Sequence, residues 1–501
     1  MTLLSHPSLH RDDYWARCGL CMPLAPGETA MTIEEPDVGP APLAPPTGRT
    51  FLGHPVGLPV IAFTEAFERF SYYGMQTLLA LYMVKALLLS PHVEQIAGFG
   101  WFSQVMAWIY GAPPTTQALA SHIFGTYTAL VYFTPILGGL VADFWLGKTR
   151  TVTLGALLMA AGHFLMAFDR SFLLALLLLV LGVGCLKGNL ASQVGALYRP
   201  GDPRATDAYQ LYYIGISSGA FFGALICGAL GEDVGWHWGF GAAGVGMLIG
   251  LFIYLAGRRH LPQEPRVVRA ARAAGVKRPA MTRRDWAVVA LLIFLVPVLA
   301  ASALGNQQMF NAYLVWADRS YDFMLFGLRL PTSFLVSFDA ITGVLTLAGT
   351  VLFWRWYGRR WREPDEFSKL IIGCLISTSG FILVAFVASQ HAATGVKPAL
   401  WIALLINTLN NIGFANVFPV SLALYSRAAP QAIAGTVIGT YYLFLFIANI
   451  LVGIVGGWLD IMPAGQFWGI HVAAILGAAA VFLVVKLLFG KMLLREPEPA
   501  A

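Results

Sequence analysis

The chain has 501 residues, 57% of them hydrophobic and only 12% charged, with a formal net charge of +6. A mean hydropathy of +0.67 excludes an ordinary soluble multidomain protein and leaves an all-α polytopic membrane protein as the fold class. The basic residues are spread over several loops, which excludes a nucleic-acid surface as the reason for the charge.

Residues 1–50 lack hydrophobic periodicity and are rich in Pro and Gly, the composition of a disordered cytoplasmic tail. No apolar run follows a basic start, so the segment does not read as a secretory signal, and Met31 is a second candidate for the initiating residue. Cys18 and Cys21 form a CxxC pair without the second pair that a zinc site needs. Cys185, Cys227 and Cys374 fall in separate apolar runs and act as small hydrophobes.

Twelve apolar runs follow, each about 20 residues, the length that crosses about 30 Å of hydrocarbon as a helix. They begin near Leu58, Ala118, Thr151, Ser171, Asp207 and Trp238 and, after a polar gap, near Trp286, Thr332, Lys369, Ala399, Ile433 and Phe467. The expected organisation is an N-terminal six-helix bundle over 51–257, a basic cytoplasmic linker over 258–285, a C-terminal six-helix bundle over 286–490 and a cytoplasmic tail over 491–501. Arg258, Arg259, Arg266, Arg269, Arg272, Lys277, Arg278, Arg283 and Arg284 give the linker a basic density that short loops reach only on the cytoplasmic side. Lys148 and Arg150, Arg199 and Arg204, and the cluster from Arg355 to Arg362 fall on loops of the same parity, with Arg319 and Arg329 the main exceptions. Both termini are therefore expected to be cytoplasmic.

Glu65, Glu68 and Arg69 lie inside the first apolar run, Leu58 to Leu89. Each ionised side chain at the bilayer centre costs roughly 2.5–3.5 kcal/mol on insertion scales, so such groups are rare and usually line a solute or proton pathway. At about 100° per residue, Glu65, Glu68, Arg69, Tyr72 and Gln76 share one helix face. Two carboxylates and one guanidinium leave that face one negative charge in excess, and Lys187, within LGVGCLKGN, is the intramembrane lysine placed to balance it. A lone buried pair would pin two helices together. A cluster of this size instead holds or releases a proton with small changes in helix spacing, which is the physics of proton coupling.

Gly182, Gly184 and Gly188 do not make a phosphate loop around Lys187, because no Ser or Thr follows the lysine and the run reads as a helix in which small residues allow close packing. No Ser/His/Asp set, HExxH pair or carboxylate and histidine cluster with ligand spacing occurs in the apolar runs, and His122, His163 and His471 are isolated. Neither an enzyme nor a metal or other cofactor is expected.

The run TEAFERFSYYGM, Thr64 to Met75, resembles the first-helix signature ExxERFxYYG of the proton-dependent oligopeptide transporter family, within the major facilitator superfamily. YFTPILGGLVADFWLGKTR (Tyr132 to Arg150), GVGCLKGN (Gly182 to Asn189), LYYIGISSGAF (Leu211 to Phe221), QQMFNAYLVWAD (Gln307 to Asp318) and APQAIAGTVIGTYYL (Ala429 to Leu443) resemble further family patterns in order, and the resemblance covers the chain from about Gly53 to Leu488. It implies the major facilitator fold, two six-helix bundles with twelve transmembrane helices rocking about a central cavity. It further implies a monomeric symporter, embedded in the lipid bilayer of a bacterial-type inner (plasma) membrane, that imports short peptides or peptide-like solutes with protons as the coupling ion. Under the resemblance, Glu65, Glu68, Arg69 and Lys187 form the proton-coupling group, and Tyr72, Tyr73, Tyr132 and Tyr441 are substrate-binding residues. Asp143, Gly147 and Arg150 resemble the loop motif that latches helix ends during rocking. The 258–285 linker is too short for the two extra helices that many bacterial members insert between the halves.

Several positions depart from the family pattern. An arginine and a seventh-helix glutamate of the family are Gln76 and Gln307 here, so both charges are absent together, which is physically self-consistent. The tenth-helix glutamate that grips the peptide amino terminus becomes Phe414, an asparagine becomes Ser217, and an eighth-helix asparagine becomes Asp339, a candidate counter-charge to Lys187 or to a substrate amine. Asn407, Asn410, Asn411 and Asn416 add amides to the tenth helix, one or two of which are expected to face the cavity. Three readings stand: a proton-coupled symporter of di- and tripeptides, a proton-coupled carrier of another small solute such as an amino acid, an organic anion or a peptide-like natural product, and a non-transporting sensor or membrane enzyme.

Overall fold

A long apolar run can satisfy its backbone within lipid as a helix or as part of a closed barrel, and these runs are all helical. The computed structural model describes residues 50–493 except 52, 90–92, 94–95, 199–201, 203, 263–280 and 326. The tail with Cys18, Cys21 and Met31, residue Arg199 and the linker residues Arg266 to Arg278 lie outside the described residues.

Spans 1 to 6 are Gly57–Lys85, Thr116–Val141, Lys148–Leu165, Phe172–Ala196, Arg204–Ala229 and Trp236–Gly257. Spans 7 to 12 are Arg283–Gln308, Phe334–Gly358, Glu366–Thr394, Leu400–Ala428, the pair Ala434–Tyr441 and Leu443–Gly456, and Ala464–Leu493. Among the described residues eleven of these are long and apolar enough to cross a membrane, and the remaining one, span 3, is an 18-residue helix that begins with Lys148 and Arg150.

Two expected boundaries shift. Span 7 begins within the segment assigned to the linker, because Thr282 caps it: the Thr282 hydroxyl accepts from the Asp285 N–H at 3.2 Å while the Asp285 carboxylate accepts from the Thr282 N–H at 2.8 Å. Span 12 continues past 490 to Leu493. Two helices lie outside the expected pattern. Ala312–Ser320 follows span 7 after a short break. Phe99–Tyr110 lies between spans 1 and 2, bracketed by Gly98 and Gly111 at φ 81° and 84° and exposing Trp101 and Trp108, the composition of a helix lying in a membrane interface.

Within the first half, span 5 packs most extensively on span 1. Glycine permits it: a Cβ at Gly219 would lie 2.0 Å from the Ala66 carbonyl oxygen and one at Gly223 2.2 Å from that of Phe70. The same device joins the halves, where a Cβ at Gly125 of span 2 would lie 2.5 Å from Gly453 of span 11.

The end where odd-numbered spans finish, termed distal, carries the described hydrogen bonds and ion pairs between the halves. The Glu232 carboxylate, just past span 5, accepts from the Thr332 and Ser333 N–H groups at 2.9 and 2.8 Å, at the start of span 8. Lys85 pairs with Asp318 at 2.8 Å, which also accepts from the Thr332 hydroxyl at 2.8 Å. Asn311 and Ser121 bond at 3.1 Å. The molecule is thus closed distally, with a cavity between its halves on the proximal side of that closure.

Glu232→Gln removes the charge from two charge-assisted hydrogen bonds and should weaken the closure by about 1–3 kcal/mol. Spin-label distances between the distal ends of spans 5 and 8 should lengthen in the variant; an unchanged distribution would count against this role.

Candidate functional site

The cavity, about 680 Å³, lies between the halves and is lined from spans 1, 2, 4 and 5 on one wall and 7, 8, 10 and 11 on the other. Span 1 contributes Glu65, Arg69, Tyr73 and Gln76, which fall along one line of the helix. Glu68 and Tyr72 project to the other side of that line, and neither lines the cavity.

The charged residues of span 1 are cut off from bulk water, with Glu65 1% exposed, Glu68 0% and Arg69 4%. Arg69 Nε donates to Glu65 Oε1 at 2.8 Å and stands 2.7 Å from Glu68 Oε2 without the angle of a hydrogen bond, so the second contact is electrostatic. Glu65 Oε2, both Glu68 oxygens and Arg69 Nη2 have no hydrogen-bond partner among the described residues. One guanidinium shared by two buried carboxylates leaves a net negative charge with vacant acceptor sites, an arrangement that a single added proton neutralises.

Lys187, from span 4, lines the same cavity as Glu65 and Arg69, but its Nζ sits 4.4 Å above the Tyr132 ring with no described carboxylate within ion-pair distance. The expected fourth member of the charge cluster is thus held on an aromatic face beside the cluster.

On the opposite wall, Asp339 Oδ1 accepts from Asn411 Nδ2 at 2.8 Å and from Asn407 Nδ2 at 3.2 Å. The Thr342 hydroxyl bonds to Asn407 Oδ1 at 3.0 Å and accepts from Asn411 Nδ2 at 3.0 Å, fixing both amides. Asp339 therefore lies within the membrane-spanning helix facing the cavity, and its partners are amides, not Lys187. Of the four tenth-helix asparagines only Asn411 lines the cavity, while Asn416 accepts from Trp354 Nε1 at 2.8 Å. Gln307 bridges Asn306 and Asn449, at 3.1 and 3.3 Å. Phe414 stacks on Phe418 with ring centroids 5.5 Å apart.

Residues 149–272 and 267–464 match the family model described as the POT family. The chain belongs to the POT family. The peptide transporter YePEPT of Yersinia enterocolitica is 28% identical over 515 residues, spanning 88% of this chain and 96% of that protein. A di-/tripeptide transporter of Lactococcus lactis subsp. cremoris is 29% identical, spanning 79% and 88% respectively. The crystal structure of a peptide transporter POT in complex with sulfate matches with a TM-score of 0.75 at 25% identity over 89% of this chain and 97% of that one. A POT family transporter in complex with 5-aminolevulinic acid matches with a TM-score of 0.72 at 20% identity over 88% and 98% respectively and shares the fold. As a POT family member the protein is a membrane transporter and not an enzyme.

Of the expected site residues, Glu65, Arg69, Lys187, Tyr73, Gln76, Tyr132, Ser217, Gln307, Asp339 and Phe414 converge on the cavity of this POT transporter. Tyr72 and Tyr441 do not. Tyr72 packs edge-on against Tyr73, ring centroids 5.3 Å apart. Tyr441 is fully buried and bonds to the Phe418 carbonyl at 2.9 Å and the Ser421 hydroxyl at 3.0 Å, because the span 11 helix is interrupted there and Tyr442 takes the cavity position. Tyr212, Tyr213, Asn306 and Phe310 also line the cavity and were not singled out; the two tyrosines lie within the run LYYIGISSGAF, Asn306 adjoins Gln307, and Phe310 follows Gln307 at helical spacing. Asp143, Gly147 and Arg150 lie elsewhere, at the proximal end, Asp143 and Gly147 between spans 2 and 3 and Arg150 in the first turn of span 3, where Gly147 has φ 77° and turns the chain between the two helices.

Arg69→Met leaves two buried carboxylates without their guanidinium and should destabilise the protein by about 3–5 kcal/mol. The triple change Glu65→Gln, Glu68→Gln, Arg69→Met should recover most of that loss in thermal unfolding of the detergent-solubilised protein. Equal stability of the single variant and the unaltered chain would contradict the arrangement.

Proposed function

We propose that this POT transporter is a monomeric proton-coupled symporter that imports di- and tripeptides or peptide-like solutes by alternating access, in a bacterial-type inner membrane with both termini cytoplasmic. The observation that carries the reading is one Arg69 guanidinium shared between two buried carboxylates beside a cavity that also holds the Lys187 ammonium, which has no described carboxylate within ion-pair distance. The names of its relatives in Yersinia and Lactococcus support the substrate class.

The cycle follows from charge. With one proton on the Glu65 and Glu68 pair, the cluster with Arg69 is neutral and tolerates a dry, closed arrangement of the first half. When the proton leaves, the cluster regains one negative charge, and Lys187 is the cation on the same cavity wall that is drawn to it. A solute carboxylate that occupies Lys187 competes with that attraction, so solute occupancy and proton occupancy favour each other. The basic proximal loops support an orientation with the cavity on the cytoplasmic side of the Glu232 closure, the inward-facing state of the proposed cycle.

A second reading, a proton-coupled carrier of another small solute, is favoured by the wall opposite Lys187, where Phe414 and Gln307 stand in place of charged side chains.

Purified protein in vesicles given an inward gradient of one pH unit should accumulate dialanine, by up to about tenfold for each proton carried, and a protonophore should abolish the accumulation. Accumulation of an amino acid or organic anion with no uptake of dialanine would replace the first reading with the second. Equilibration without accumulation would remove both.

A further inference from the structure

Arg355, Arg359, Arg360 and Arg362 crowd the proximal end of span 8, and all four are exposed. Topology accounts for the side on which they lie and leaves their lack of partners unexplained. The acids that follow them are taken by other cations: Glu363 pairs with Lys369, Asp365 with Lys486 at 2.9 Å and Glu366 with Arg427 at 2.8 Å. No described carboxylate lies within ion-pair distance of any of the four arginines. Indoles stand among them. Trp356 and Trp361 are 52% and 49% exposed with ring centroids 5.5 Å apart, and the Arg360 guanidinium lies 5.6 Å from the Trp361 ring centroid. Exposed indole belongs at the boundary between hydrocarbon and headgroups, so this pair marks that depth on span 8.

Span 8 is also the least buried of the eleven apolar spans, with 22% of its most apolar stretch buried. Ile341, Leu345, Leu352 and Trp356 are 42 to 64% exposed and recur at helical spacing, so one apolar line runs along the helix and ends at the arginines. Gly349, between Leu345 and Leu352, leaves open space on that line. An apolar track that ends in unpaired guanidinium groups matches a molecule with an alkyl tail and an anionic head. We infer that the arginine cluster at the end of span 8 binds the phosphate of an anionic phospholipid in the proximal leaflet, with an acyl chain along the line through Leu345 and Leu352 and the two indoles at the level of its glycerol. Guanidinium suits phosphate because its planar fork donates two parallel hydrogen bonds. The negative end of the span 8 dipole, roughly half a charge, offsets only a fraction of the four positive charges. Span 8 carries Asp339 on the cavity wall and starts at the Glu232 closure, so the lipid is held by a helix that takes part in both. The site is separate from the cavity and does not depend on what the cavity carries.

The test titrates the full-length protein in detergent with dioleoyl phosphatidylglycerol, dioleoyl phosphatidylcholine or inorganic phosphate and reads retained lipid by native mass spectrometry, after thermal unfolding has confirmed that each variant is folded. The unaltered chain should retain phosphatidylglycerol over phosphatidylcholine by about ten- to a hundredfold, at about fivefold for each arginine engaged. Arg359→Gln with Arg360→Gln should weaken retention of phosphatidylglycerol by about 25-fold on the same scale and leave phosphatidylcholine unchanged. Arg258→Gln with Arg259→Gln, an equal loss of charge at the proximal end of span 6, should change neither. On the unaltered chain alone, raising salt from about 0.1 to 1 M shortens the screening length from about 10 to 3 Å and should remove the preference. Equal retention of the two lipids, a preference that survives the higher salt, or the same loss in the Arg258 and Arg259 variant overturns the site. Displacement of phosphatidylglycerol by an equal concentration of inorganic phosphate identifies a site for free phosphate and overturns the lipid assignment.

Discussion

A guanidinium wedged between two carboxylates inside a membrane-spanning helix sets the terms for everything around it. Arg69 reaches Glu65 at 2.8 Å and Glu68 at 2.7 Å, and none of the three is more than a few per cent exposed. In lipid such a group persists only if neighbouring protein encloses it, and spans 2, 4 and 5 do so. The close fit of span 5 on span 1, which Gly219 and Gly223 allow, is therefore as much a condition of the charge cluster as a packing detail. The cluster is also incomplete as it stands, since one cation serves two anions. That imbalance turns a structural ion pair into a group whose proton content responds to its surroundings.

Under the proposed function, the rest of the architecture converts that response into access. Glu232 ties the end of span 5 to the start of span 8, and Lys85 ties span 1 to Asp318 beyond span 7. Span 5 is packed on the charged helix, so a shift at the cluster bears directly on the distal closure. The solute cavity lies between the two, with Lys187 on one wall and Asp339 on the other. In the proposed cycle coupling needs no long route: the buried charge cluster, the cavity and the closure share spans 1 and 5.

Much of this was legible in the sequence, for physical reasons. Charges within an apolar run stand out because lipid makes them costly, so Glu65, Glu68, Arg69 and Lys187 were visible without coordinates. The spans were visible because their length is fixed by the bilayer. What escaped notice depended on finer geometry. Glu68 and Tyr72 sit on the helix face already noted, but the cavity takes only the line through Glu65, Arg69 and Tyr73. The choice between Tyr441 and Tyr442 turns on a break in the span 11 helix that the repeated Tyr does not reveal. Glu232 carries no local signal of its role, since its partners, Thr332 and Ser333, are 100 and 101 residues away. The Phe99–Tyr110 helix was too short for a span, although the glycines at both its ends marked it.

The central claim is that the buried carboxylates of span 1 carry the proton that drives transport. The most direct measurement pairs two assays on the double variant Glu65→Gln, Glu68→Gln: exchange of labelled solute down no gradient, and accumulation against a gradient under an imposed proton force. The account predicts that exchange survives while accumulation is lost. Undiminished accumulation in the double variant would contradict it.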